Sequence, residues 1–279
     1  MARAESVDTK GGAKWLRDAG RALGGGLVFS LPMLMTMEMW WLGFYMDRLR
    51  LALLVMVTIP LLTGLSRMIG FERTAMWRDD LLDALMAFGL GALASTLLLA
   101  VLGIVGPGMS VDEIVGKIAL QAVPASMGAL LARSQFHGDD ADEDVGDREE
   151  TYGGEMFLMA IGALFLGFNV APTEEMVVIA YGMTEWHGIV LVVASLAVMH
   201  GFVFAVGFKG GSELSPDTPA WSAFARFTLP GYAIALAISL YVLWTFGRTD
   251  DASAEQIVMA VIVLGFPSAV GAAAARLIL

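Results

Sequence analysis

A carboxylate stands inside an apolar run, Leu31-Pro32-Met33-Leu34-Met35-Thr36-Met37-Glu38-Met39-Trp40-Trp41. A charge near the middle of a bilayer helix costs about 2.5–3.5 kcal/mol on insertion scales, so such a residue marks a site unless something else explains it. The pattern returns later in the chain: Thr173-Glu174-Glu175-Met176 reads like Thr36-Met37-Glu38-Met39, displaced by 137 residues. Glu38 and Glu175 are therefore candidate ligands for a cation or acceptors for a proton. Two carboxylates brought close repel each other, so a proton or a cation would sit between them. The stretch Phe168-Asn169-Val170-Ala171-Pro172-Thr173-Glu174-Glu175 carries the most local information. Pro172 has no N–H and disfavours helix at the residue before it. A broken helix is expected there, with Thr173 as the N-cap of the next piece and Glu174 and Glu175 in its first turn. Asn169, freed carbonyls and two carboxylates form a hard oxygen set suited to Na⁺, Ca²⁺ or a proton. Plainer readings stand beside these: a capped surface helix at Thr173, and an interfacial Glu38 paired with Arg48 or Arg50. A continuous helix through Glu38 would put it roughly 6 Å outward of the span centre, behind Trp40, Trp41, Leu42 and Phe44.

Other groups carry weaker signals. Glu113, Lys117 and Gln121 recur at every fourth residue and make one polar stripe, either the wall of an aqueous vestibule or a salt bridge at a helix end. Pro124 and Pro267 are candidate hinges along with Pro172, or simply kinks beside small residues that let helices approach. Asp79, Asp80 and Asp83 suit a helix N-terminus. His200 suits a packed, hydrogen-bonded histidine better than a proton relay. Met33, Met35, Met37 and Met39 alternate, so they cannot line one side of a helix. The run 140–151 has a calcium-loop flavour, but its glycine is misplaced and its last residue is Thr151. With no cysteine and three scattered histidines, no thiolate or His-based metal site and no cofactor is expected; only Glu38 and Glu175 are candidate metal ligands.

These residues need elements to hold them. Hydrophobic residues are 57% of the chain, charged residues 16%, and the mean hydropathy is +0.70. Soluble domains run about 45–50% apolar and 25% charged. Apolar runs long enough to span a bilayer recur about eight times, near residues 23–45, 51–68, 81–105, 113–132, 155–181, 188–208, 227–246 and 257–279. Gly106-Pro107-Gly108 is a breaker, and Ser110-Val111-Asp112-Glu113 is a capping box opening the fourth span. A net charge of −11 without a basic stripe excludes nucleic acid as a partner.

The offset of 137 aligns Gly25 with Gly162, Thr36 with Thr173, Glu38 with Glu175 and Gly64 with Gly201. After a loop difference Ser95 meets Ser239 and Gly103 meets Gly247, and Pro124, Gly128 and Arg133 meet Pro267, Gly271 and Arg276. The expected fold is an all-α polytopic membrane protein: eight transmembrane helices as two parallel four-helix repeats. Parallel repeats are related by an axis along the membrane normal. The expected parts are a tail (1–22), a first repeat (23–136), an acidic linker (137–153) and a second repeat (154–279). Lys and Arg fall mostly on one side of this arrangement, which puts both termini in the cytoplasm.

The segments Thr36-Met37-Glu38-Met39-Trp40-Trp41, Asn169-Val170-Ala171-Pro172-Thr173-Glu174-Glu175 and 119–126 resemble a family of bacterial integral membrane proteins of unknown function. That resemblance implies a bacterial inner-membrane location and no particular chemistry. From the residues themselves the expected function is a cation channel or proton-coupled cation transporter. Its pathway would use Glu38, Glu175, Glu174, Asn169, Thr36, Thr173 and Gln121. The rivals are an enzyme acting on a lipid or prenyl substrate and a non-transporting scaffold or sensor. The partners expected are the lipid bilayer and a cation or proton; a homo-oligomer is compatible with the pattern.

Overall fold

A computed structural model describes residues 8–69, 76–135, 151–171, 173–205 and 220–278. Pro172 and the linker up to residue 150, both singled out above, lie outside the described residues. The chain divides into two compact units, Met1–Val145 and Gly146–Leu279. Every regular element among the described residues is helical.

The first unit contains α1 (Asp8–Leu34), α2 (Met37–Tyr45), α3 (Arg48–Ile69), α4 (Trp77–Val101) and α5 (Val111–Gln135). Helix α5 is the centre of this unit and packs on the other four. Its apolar window is 72% buried, against 39% and 33% for α3 and α4. Ser110 opens α5 as the capping box predicts: its Oγ accepts from Glu113 N at 3.2 Å. Lipid-length helices without a wet face must satisfy their own polar atoms. Accordingly Thr58, Thr63, Ser95 and Thr96 each donate to the carbonyl four residues earlier, at 2.7–2.9 Å.

The second unit contains α6 (Tyr152–Val170), α7 (Glu174–Gly182), α8 (Glu185–Ala205), α9 (Ala220–Ala223), a π-helical turn (Phe224–Thr228), α10 (Leu229–Thr245) and α11 (Ala254–Ile278). Here α11 is central and packs on α6, α7, α8 and α10. Thr151 caps α6, its side chain accepting from Gly154 N at 3.2 Å. At the π turn Leu229 N donates to Phe224 O, five residues back, and a proline follows. Pro230 has no N–H to give to the carbonyl of Arg226, four residues back. Tyr152 fills the vacancy, its hydroxyl donating to Arg226 O at 2.8 Å.

Several local features recur in both units. At the end of α4, Gly103 has φ 70°, and Ile104 N reaches back to Leu99 O at 2.9 Å. At the end of α10, Gly247 has φ 72°, and Arg248 N reaches Leu243 O at 2.8 Å. Both are left-handed glycine C-caps with the long backward bond of a Schellman motif, for which a side chain would be strained. The helix therefore stops at Gly103, before the predicted breaker at Gly106-Pro107-Gly108. The crossing of α1 and α5 brings Gly128 against Gly25 O and the Phe29 side chain. That of α6 and α11 brings Gly162 and Gly271 each against the other's carbonyl.

Among the described residues, seven helices are long and apolar enough to cross a membrane, and a bent pair makes up an eighth candidate. The pair is Ala19–Leu34 with Met37–Tyr45, turned by 89°. The continuous span expected over 23–45 is thus corrected. So is the depth assigned to Glu38, because a helix axis that turns at Thr36 no longer carries Glu38 outward along the first.

The glycine crossing can be tested by adding one carbon. Gly162→Ala must push α6 off α11, an overpacking cost of about 1–3 kcal/mol. Gly89→Ala, where nothing lies within 4 Å, should be neutral or stabilising by about 1 kcal/mol from helix propensity. Melting of the detergent-purified protein should fall for the first and hold or rise for the second; equal melting would contradict the crossing.

Candidate functional site

The two acidic segments each follow a helix break. In the first unit α1 stops at Leu34 and α2 starts at Met37. Thr36 N and Thr36 Oγ1 both donate to Met33 O, at 3.1 and 2.8 Å. Trp40 Nε1 donates to Leu34 O at 2.7 Å, and Gln121 Nε2 of α5 donates to Ser30 O at 2.9 Å. In the second unit α6 stops at Val170 and α7 starts at Glu174. Thr173 N and Thr173 Oγ1 both donate to Val170 O, at 3.1 and 2.9 Å. The same threonine therefore ties down the same carbonyl at both breaks.

That geometry corrects one expectation. Thr173 occupies the N-cap position with extended backbone, φ −71° and ψ 144°, but its hydroxyl makes no cap to α7. Thr36 behaves alike before α2. Each hydroxyl serves the helix it has left. The first-turn N–H groups of α2 and α7 are thus left uncapped by these hydroxyls, and Glu38, Glu174 and Glu175 stand in those same first turns, at the helix end that favours negative charge.

Glu38 is half-buried, while Glu174 and Glu175 are exposed. The plainer pairing of Glu38 with Arg48 is not formed. Arg48 reaches Asp112 at 2.6 Å and donates to Gly43 O and Phe44 O at 3.2 and 3.1 Å. It holds the far end of α2 against the start of α5. Asn169 donates Nδ2 to Phe165 O at 2.8 Å. This leaves Oδ1 buried with no hydrogen-bond partner among the described residues. A buried acceptor without a donor is costly, and it lies one turn before the α6 break.

The polar stripe on α5 separates into two parts. Gln121 is buried in the α1 contact. Glu113 and Lys117 form an ion pair at 2.6 Å, with side chains 20% and 9% exposed. This is not the exposed helix-end pair of the plainer reading. The pair lines a cavity of about 660 Å³ with Met35, Trp40, Trp41, Phe44, Leu102, Gly103, Ile104 and Met109. The sequence showed the charges but not the aromatic walls, because α2 swings over them only once the helix breaks.

Other singled-out residues take structural places. Pro124 and Pro267 sit inside unbroken helices α5 and α11. Asp79 and Asp80 are in the first turn of α4, and buried Asp80 faces Arg67 at 3.7 Å. His200 Nδ1 lies 3.0 Å from Thr228 Oγ1, beside the π turn. Met33 and Met39 are buried, whereas Met35 and Met37 are exposed.

Loss of either threonine hydroxyl should loosen its break. Thr36→Val and Thr173→Val each remove a bond worth about 0.5–1.5 kcal/mol net. Hydrogen exchange should speed up at residues 36–39 or 173–176, and Thr→Ser should restore protection. Unchanged exchange in the valine variants would contradict the bonding described.

No curated protein and no solved structure matches the chain. A family model described as "Putative integral membrane protein (DUF2391)" matches residues 18–279, which takes in both units and both breaks. A chain with seven or eight helices of membrane-crossing length, matched over nearly its whole extent, belongs to the DUF2391 family of multi-pass integral membrane proteins.

Proposed function

We propose that the protein is a cation channel or proton-coupled cation transporter built from two copies of one broken-helix unit. The observation that carries this reading is the pair of breaks. Non-helical backbone at membrane depth is tolerated where it is covered by protein or lines a wet cavity. Past Arg21, the apolar part of α1 (residues 22–34) rises about 20 Å at 1.5 Å per residue, short of a hydrocarbon core about 30 Å thick. A helix that enters near Arg21 therefore breaks before it has crossed.

What gathers at the breaks is oxygen: the Glu38 carboxylate in one unit; Asn169 Oδ1, Glu174 and Glu175 in the other. Hard cations and protons take such ligands. The duplication rests on the offset of 137 residues and on the matched caps, crossings and threonine bonds of the two units. In our reading the repeats run parallel with both termini in the cytoplasm of a bacterial inner membrane. Glu38 and Glu175 then take matching places in the two repeats, each in the first turn after its break.

The test is flux in proteoliposomes. The wild-type protein should pass a monovalent cation or protons. Glu38→Gln with Glu175→Gln together should cut that flux by at least about tenfold, since a tenfold change needs only about 1.4 kcal/mol at the barrier. Flux in the double variant equal to the wild type, or none in the wild type under a driving gradient, would overturn the proposal.

A further inference from the structure

The cavity beside α2 has a chemistry of its own that the cation path does not use. Neither Thr36 nor Glu38 lines it; Glu113 and Lys117 do. The pair is part-buried, its side chains 20% and 9% exposed, and such a pair adds little to stability by itself. The Lys117 ammonium has three N–H groups. One goes to Glu113 Oε1 at 2.6 Å and one to Ile104 O at 3.3 Å. The remaining contact is Met109 Sδ at 3.9 Å, and a thioether is a weak acceptor. Glu113 spends Oε1 on Lys117, and among the described residues nothing bonds Oε2. Lys117 thus gives its third N–H only to a weak acceptor that a better one could displace, and Glu113 keeps one oxygen able to accept.

The walls are apolar and aromatic. Trp40 is pinned by its bond to Leu34 O, and Trp41 and Phe44 stand on the same short helix. The volume falls within the range of about 300–1,000 Å³ usual for small-ligand sites. The charges of the pair sum to zero, so the cavity offers one place to a cation and one to an anion and no net attraction to either alone. At the aligned positions of the second unit stand Gln256 and Ala260, and Gln256 is tied to Ser253 N at 2.8 Å. The charged pair belongs to one unit alone, which gives one such site per chain.

We propose that this cavity binds a small zwitterion. Its ammonium or methylated ammonium group sits against Glu113 Oε2 and the tryptophan faces, where a cation is attracted to the ring. Its carboxylate or phosphate takes the third N–H of Lys117. Two sources share this chemistry: a free zwitterionic solute and the headgroup of a zwitterionic phospholipid. The site stands whether or not cations pass the helix breaks.

Calorimetric titration of the full chain in an uncharged detergent tests it, with glycine betaine as the free zwitterion and a short-chain phosphatidylcholine below its micelle concentration as the headgroup. Saturable binding of either supports the proposal and identifies the source. Choline, a cation alone, should bind at least about tenfold more weakly. Glu113→Gln and Lys117→Met should each weaken zwitterion binding at least about tenfold. Should those buried changes prevent folding, Trp41→Ala on the exposed wall should weaken it with an unchanged melting temperature. Failure of both zwitterions to bind the folded wild type overturns the site, as does undiminished binding in Trp41→Ala or in the folded pair variants, or choline binding as tightly.

Discussion

A carbonyl at the end of a helix loses its helical partner, and the two helix breaks depend on how that loss is met. At Met33 and at Val170 the answer is the same: one threonine three residues on gives both its N–H and its hydroxyl to the carbonyl. The first break needs more help and receives it, from Trp40 at Leu34 O and from Gln121 at Ser30 O. Without these donors a turn of 89° within an apolar segment would leave carbonyls bare. Each would cost several kcal/mol in lipid.

The breaks set the rest of each unit. Once α1 ends, α2 turns away and is held at its far end by Arg48, which binds the Gly43 and Phe44 carbonyls and Asp112 of α5. Trp40, Trp41 and Phe44 of α2 then line an open cavity together with the Glu113 and Lys117 pair. Helix α5 can sit under all of this because small residues line it. Gly116 meets Gly43 O, and Gly128 meets Gly25 O. Close backbone approach of this kind is how helices associate where apolar burial gives no drive.

Much of this was legible beforehand. Long apolar runs gave the helices their places, since a bilayer demands about twenty apolar residues per span. The capping box at Ser110 and the match of Gly103 with Gly247 proved local enough to read directly, because caps depend on a few neighbouring residues. The break at Thr36 was not read, because no proline or glycine stands there; Pro32 lies a turn earlier, within α1. The signal that could have found it was already present. Thr36 aligns with Thr173, where Pro172 advertises a break, and the offset carries that break back to the first unit. The direction of the threonine hydroxyls was beyond pattern reading, since capping forward and bonding backward use the same residue. The bond to Arg226 O was hidden too, because its donor, Tyr152, stands on a different helix.

A cation path through the two breaks requires that they be wet while the neighbouring helix surface is dry. The chain has no cysteine, so single cysteines can carry a spin label without background. In membranes, labels at Thr36 and Thr173 should be relaxed by a water-soluble nickel chelate. Labels at Met56 and Leu97, which are 66% and 56% exposed on α3 and α4, should be relaxed by oxygen instead. Oxygen alone relaxing the labels at both breaks would contradict the account.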